Sequence, residues 1–251
     1  MKNKFDISSL LEQFRKDNKN KELLLKILNF DGDFILTAPE EMRDDEEVII
    51  KSINTSVTGK VLSAASERLK NNKEVVIHAV KKHGLSIRYA SEDLKNDKEV
   101  VTIAVNNSRL AMKYASKDLC GNKVFVMEMI KKDSLLLQFV SDDLRSDVEI
   151  VTEAVKKSGF TLDYASKEMK DNRDVVFLAM KNNAQSLAYA SERLQDDFEL
   201  LLMLKNEDEN KFKYNKFWYE ERMKVLDIYE EDAWMRNNVQ KKDKKTKVRK
   251  F

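Results

Sequence analysis

Glycine and proline are almost missing from this chain, which has five of the first and one of the second in 251 residues. Turn-rich β architectures and flexible linkers need many of both, so the shortage excludes them and leaves long helical runs. A single cysteine, Cys120, rules out an internal disulfide and a cysteine zinc cluster, in keeping with a reducing compartment. It stands where other copies of the pattern described below have Lys95, Arg145, Lys170 or Gln195, and reads as an exposed thiol without an activating base. The two histidines, His78 and His83, miss the i, i+4 spacing of a helical metal pair and read as variable surface or loop positions. Glycine-rich phosphate loops and paired-carboxylate motifs are absent too. The N-terminal Met-Lys-Asn-Lys-Phe-Asp leads into no apolar stretch of signal-peptide or membrane-spanning length. These absences predict an intracellular protein without catalysis, cofactor or metal.

What is present is a period. Tyr-Ala-Ser or a near variant ends at Ser66, Ser91, Ser116, Ser141, Ser166 and Ser191, and Pro39 takes the serine's place in the first copy. Self-similarity at 25 residues is the mark of stacked supersecondary units. With 42% hydrophobic and 36% charged residues the chain has enough apolar material for a core.

The unit reads most clearly over 98–122. Val100, Val101, Ala104 and Val105 form one helical face, with counterparts such as Val75, Val76, Ala79 and Val80 or Val175, Val176, Ala179 and Met180. Leu110, Met112, Tyr114, Ala115 and Leu119 predict a shorter second helix with a break at Ser116, because Pro39 in that column cannot stand inside a helix. Before each first helix stands a good N-cap: Asn20, Asp45, Asn72, Asp97, Asn122, Asp147, Asn172 and Asp197. Acids follow at the second helical position in most copies, as Glu74 and Glu99 do, where they complement the helix dipole.

The register predicts an all-α protein, a right-handed α-solenoid of seven helical hairpins at 21–45, 46–72, 73–97, 98–122, 123–147, 148–172 and 173–197. The second is two residues longer, with the excess near Thr55 to Lys60. The expected organisation is an N-terminal capping helix within 1–20 (Phe5 to Arg15), the repeats over 21–205, a C-terminal capping helix region at 206–236 and a basic disordered tail at 237–251.

The repeat resembles the family of domain of unknown function 4116, with its tandem D-x-E-V-V-x-x-A-V and Y-A-S-x-x-L segments. DKEVVTIAV (Asp97 to Val105) with YASKDL (Tyr114 to Leu119), and NRDVVFLAM (Asn172 to Met180) with YASERL (Tyr189 to Leu194), carry the resemblance. It implies a helical repeat over roughly 21–200 and no particular activity.

Two patterns bear on partners. The aromatic column Tyr89, Tyr114, Phe139, Tyr164 and Tyr189 offers either base stacking or a packing ladder, and the interchange of Phe with Tyr favours packing. Lys81, Lys82, Lys131, Lys132, Lys156, Lys157 and Lys181 end the first helices and form a basic edge, which dipole complementarity alone accounts for. Lys241, Lys242, Lys244, Lys245, Lys247, Arg249 and Lys250 add a second basic element. Seven basic residues against Asp243 give residues 241–251 a charge of +6, leaving −4 in the rest of a chain whose formal charge is +2. A body of that sign is expected to bind a protein or peptide along its repeats as a scaffold. The alternative is a nucleic-acid-associated protein using the lysine edge and the tail, which would serve as an electrostatic anchor or nuclear-import signal.

Overall fold

A computed structural model describes the backbone of residues 7–207 and 216–248, and side chains as far as residue 235. Every regular element among the described residues is helical. The chain divides into two compact units, Met1–Val126 and Met127–Phe251.

Each 25-residue repeat is made of three pieces. The fourth is representative: a ten-residue α-helix Lys98–Asn107, a six-residue 3-10 helix Arg109–Tyr114 and a four-residue α-helix Lys117–Cys120. The expected second helix is thus two short ones. Its residues pass through an extended link at Ala115 and Ser116, and serine then caps a new helical turn. Pro39 does the same before Glu40–Arg43 without a side-chain cap, its φ of −55° being native to the ring.

All eight predicted N-caps accept from first-turn amides. Examples are Leu23 N–H to Asn20 Oδ1 at 3.1 Å, Val100 N–H to Asp97 Oδ1 at 3.0 Å and Phe125 N–H to Asn122 Oδ1 at 3.0 Å. Each such cap contributes about 1 kcal/mol. The predicted apolar face is the core: Val100, Val101 and Ala104 are fully buried, as are Ile150, Val151, Ala154 and Val155.

Within Met1–Val126, the long helices Lys21–Leu28, Glu46–Thr55, Lys73–Lys82 and Lys98–Asn107 pack each against the next. Within Met127–Phe251, Val148–Lys157 packs against Arg173–Asn182. Small residues permit the close approach. A Cβ added to Gly84 would meet the carbonyl oxygen of Ala104, and one added to Gly159 that of Ala179. The two extra residues of the second repeat fall between the helix ending at Thr55 and the next at Val61, as predicted. There Gly59 takes φ +68° and lies against His83.

Both ends are helical. Ile7–Lys16 buries Leu10 and Phe14, the latter edge-on to Phe34 at 5.7 Å; Phe5, expected in this helix, lies outside the described residues. At the other end, a helix runs Lys216–Val248. It continues through residues expected to leave as a disordered tail at 237, because that stretch holds no glycine or proline and is rich in lysine, a good helix former. Its first half docks on the last repeat. Leu226 is fully buried, Trp218 Nε1 donates to Gln195 Oε1 at 2.9 Å, Arg222 pairs with Asp196, and Tyr229 meets Phe198 edge-on.

Candidate interaction surface

At repeat boundaries within each unit, one set of recurring residues joins neighbours. At Ser66, Ser91, Ser116 and Ser191 both the amide and the hydroxyl of the column's serine bond across the boundary. Ser116 donates its N–H to the Lys95 carbonyl at 2.9 Å, accepts from Leu119 N–H at 3.0 Å and donates its hydroxyl to Asn96. Ser91 repeats this with Lys70, Leu94 and Asn71, and Ser191 with Lys170, Leu194 and Asp171. The periodic serine is a cap and a cross-repeat strut.

A second joint lies at the same edge. Lys21 bridges Asp45 at 2.7 Å and Glu47 at 2.8 Å, the cap and second residue of the next helix. Lys73 does so with Asp97 and Glu99, and Arg173 with Asp197 and Glu199. The hydrogen bonds that Lys73 donates to Asp97 and Glu99 push its pKa above the ordinary value. Partial burial alone would raise Asp97. The bonds from Lys73 and from the Val100 and Glu99 amides outweigh it and hold the carboxyl below 3.8. This clamp was missed in the sequence, although the signal is there: caps alternate Asn and Asp, and a basic residue follows each Asn cap at Lys21, Lys73, Lys123 and Arg173.

The opposite edge carries the predicted lysines. Lys81, Lys82, Lys131, Lys132, Lys156, Lys157 and Lys181 are exposed at or near the ends of long helices. Two of them cap the preceding repeat: Lys82 donates to the Asn54 carbonyl and Lys157 to that of Lys131. Where asparagine holds the same position it does more. Asn107 Nδ2 donates to Lys81 O at 2.9 Å while its Oδ1 accepts from Gly84 N–H at 2.7 Å; Asn182 does likewise with Lys156 O and Gly159 N–H. Lys181 lies over the Phe177 ring at 4.7 Å. Lys241, Lys242, Lys244, Lys245 and Lys247 fall on helical backbone whose side chains are not described, and Arg249 and Lys250 lie outside the described residues.

Other predicted positions sort as follows. The aromatic column is half-buried at the ends of the 3-10 helices, with Tyr189 edge-on to Phe160 at 6.2 Å. Cys120 is buried, contrary to the expected exposed thiol, and burial pushes its pKa up. Lys70, Lys95 and Lys170 in its column are themselves largely covered, their stems packed and their ammonium groups outside. A short apolar side chain in that column stays wholly inside. His78 is exposed, and His83 is half-buried with Nε2 3.4 Å from Ser56 O. Among the described residues, no three His, Cys, Asp or Glu side chains converge as a metal site, and no helix is long and apolar enough to cross a membrane.

Two of the concavities in Met1–Val126 have contrasting linings. One, of about 790 Å³, lies between Lys21–Leu28 and Glu46–Thr55, floored by Leu25 and Ile50. Its rim mixes signs and is paired within itself, as in Glu22–Lys26 at 2.7 Å. The other, of about 280 Å³, is bounded by the inserted Thr58–Gly59 and includes His83, Leu85 and Arg88. No carboxylate lines it.

No curated protein and no solved structure matches the chain. A family model matches four times in tandem, at residues 20–70, 56–93, 72–120 and 123–170, in step with the helical repeats. With more than half its length covered by that model and the repeat chemistry continuous through it, the chain belongs to the family described as domain of unknown function (DUF4116).

Proposed function

We propose that the repeats form an α-solenoid of seven units that acts as a non-catalytic scaffold for a protein partner. One observation carries this reading: the constant serine and cap positions join repeats, while two columns of exposed or half-exposed side chains vary along the chain. The sixth residue of the long helices runs Lys26, Lys51, His78, Ile103, Glu128, Glu153, Leu178 and Met203. The second residue of the 3-10 helices runs Asp33, Leu85, Leu110, Leu135, Phe160 and Gln185. A nucleic-acid backbone repeats the same charge at every step and is matched by a repeated cation. A polypeptide differs at every step and is matched by a surface that differs too.

A peptide array of acidic, basic and apolar 15-residue segments, probed with the full-length protein, tests this. Binding confined to a subset sharing a pattern is expected. Binding to none, with single-stranded RNA held tightly and released steeply by salt, would favour the nucleic-acid reading and its basic C-terminal element.

A further inference from the structure

We infer that the surface formed by the 3-10 helices Gly84–Tyr89 and Arg109–Tyr114 docks an acidic segment of a partner protein, with one carboxylate entering the cavity beside Arg88. The inference rests on the scaffold reading and gives it a location and a ligand chemistry.

In a 3-10 helix, residues three apart share a ridge. Leu85 and Arg88 therefore stand together on one ridge, and Leu110 and Lys113 on the next. Both leucines are exposed, Leu85 by 39% and Leu110 by 55%, on helices that pack against each other. Both cations are exposed, and among the described residues neither is paired with a carboxylate. Arg88 lies 4.4 Å above the Tyr89 ring, which holds the guanidinium in place without neutralising it. The equivalent residues in Met127–Phe251 are Gln138, Asp163 and Ala188, so the pairing of apolar side chain and cation belongs to the third and fourth repeats.

The cavity of about 280 Å³ opens between this ridge and the inserted loop of the second repeat. Arg88, His83, Thr58, Asn107 and Ser108 line it; Thr58 gives its hydroxyl proton to Asp33, His83 Nε2 faces Ser56 O and one Asn107 amide proton goes to Lys81 O, which leaves the Arg88 guanidinium, the second Asn107 amide proton and the Ser108 hydroxyl as donors facing it. Carbonyls at the nearby helix ends are already taken, Asn54 O by Lys82, Lys81 O by Asn107 and Ser56 O by His83. Asp33, which reaches the same loop, is satisfied by Ser56 Oγ at 2.7 Å and Val57 N–H at 3.3 Å. The cavity thus favours an incoming anion, and its adjoining leucines favour one carried on an apolar chain.

Neighbouring helical ridges are about 8–10 Å apart. Three residues of extended chain cover about 10 Å, so the fitting ligand has two large apolar residues three apart with Asp or Glu between and beside them.

The test uses fluorescence anisotropy with the full-length protein and three labelled peptides: an acidic one with leucines three apart, the same peptide with alanine for leucine, and a basic one with the leucines kept. The first is expected to bind at least tenfold more tightly than the others, with Arg88→Glu or Leu110→Ser weakening it at least tenfold and Phe160→Ser leaving it unchanged. Thermal melting confirms that each variant is folded. Binding indifferent to Arg88→Glu and Leu110→Ser would overturn this location and leave the scaffold reading standing. Failure of all three peptides overturns the ligand chemistry, whereas the scaffold reading falls only with the peptide array. Single-stranded RNA displaced by Arg88→Glu, with no peptide bound, would assign the surface to phosphates and overturn the inference.

Discussion

The two edges of the repeats, one holding the N-termini of the long helices and the other their C-termini, look alike in sequence as charged borders and are built by different means. The N-terminal edge is joined by full charges: Lys73 grips Asp97 and Glu99, and Arg173 grips Asp197 and Glu199. Dipoles join the C-terminal edge, where Asn107 and Asn182 thread between a helix-end carbonyl and a glycine amide. In both, some of the conspicuous polar residues are engaged with the neighbouring repeat, at the C-terminal edge Lys82, Asn107, Lys157 and Asn182. A charged border in a repeat sequence is therefore weak evidence for a binding site, and recognition is better sought on ridges whose residues change from copy to copy.

The largest effect is expected where the C-terminal edge is tightest. Gly84→Val would drive a side chain into the Ala104 carbonyl and to 3.0 Å from Ser108, destabilising by about 3 kcal/mol in urea unfolding. Asn107→Ala comes next, because it leaves the Gly84 amide and Lys81 carbonyl without their partner; about 1–2 kcal/mol is expected. Lys82→Met, which removes one exposed donor, should cost less than Asn107→Ala. Equal losses from the two would erase the distinction drawn between asparagine and lysine at this edge.

These residues also show where sequence reading reached and where it stopped. All eight caps, the apolar column and the position of the insertion were legible because each depends on neighbours within a few residues. The pairing of Gly84 with Asn107 was not, since it joins residues 23 apart through geometry that only the packed helices create. The 3-10 form of the second helix escaped for a related reason: its apolar spacing is shared with a short α-helix, and the close packing of successive repeats selects between them. Cys120 was misplaced because its column is filled by long cations whose stems are buried, and composition records only the charge. Of the candidate surface, the lysines were visible in sequence but not the capping by Lys82 and Lys157, and Leu110 was read only as part of the second helix's apolar spacing.

The smallest effect separates charge from capping at the N-terminal edge. Asp97 and Asp197 titrate below their ordinary 3.8 in the folded chain, so the stability they lend is whole above about pH 4 and fades as pH falls through the lowered value. Asp97→Asn keeps an acceptor for the Val100 amide and discards the ionic contact with Lys73. A loss of no more than about 1 kcal/mol at pH 7 is expected, together with a shallower further loss of stability as pH falls below about 4, read by circular dichroism. An unchanged acid profile would mean that the clamp adds nothing to the cap.

The central claim is that the lysine edge serves the fold while recognition belongs to the variable ridges. It is tested most directly by titrating labelled single-stranded RNA with the full-length protein at low and moderate salt, with Lys81, Lys131, Lys156 and Lys181 intact or all replaced by glutamine. The account predicts the same RNA affinity and salt slope for both proteins. A marked loss of affinity and a flatter slope on neutralising those four lysines would contradict it and make the edge a working phosphate-binding surface.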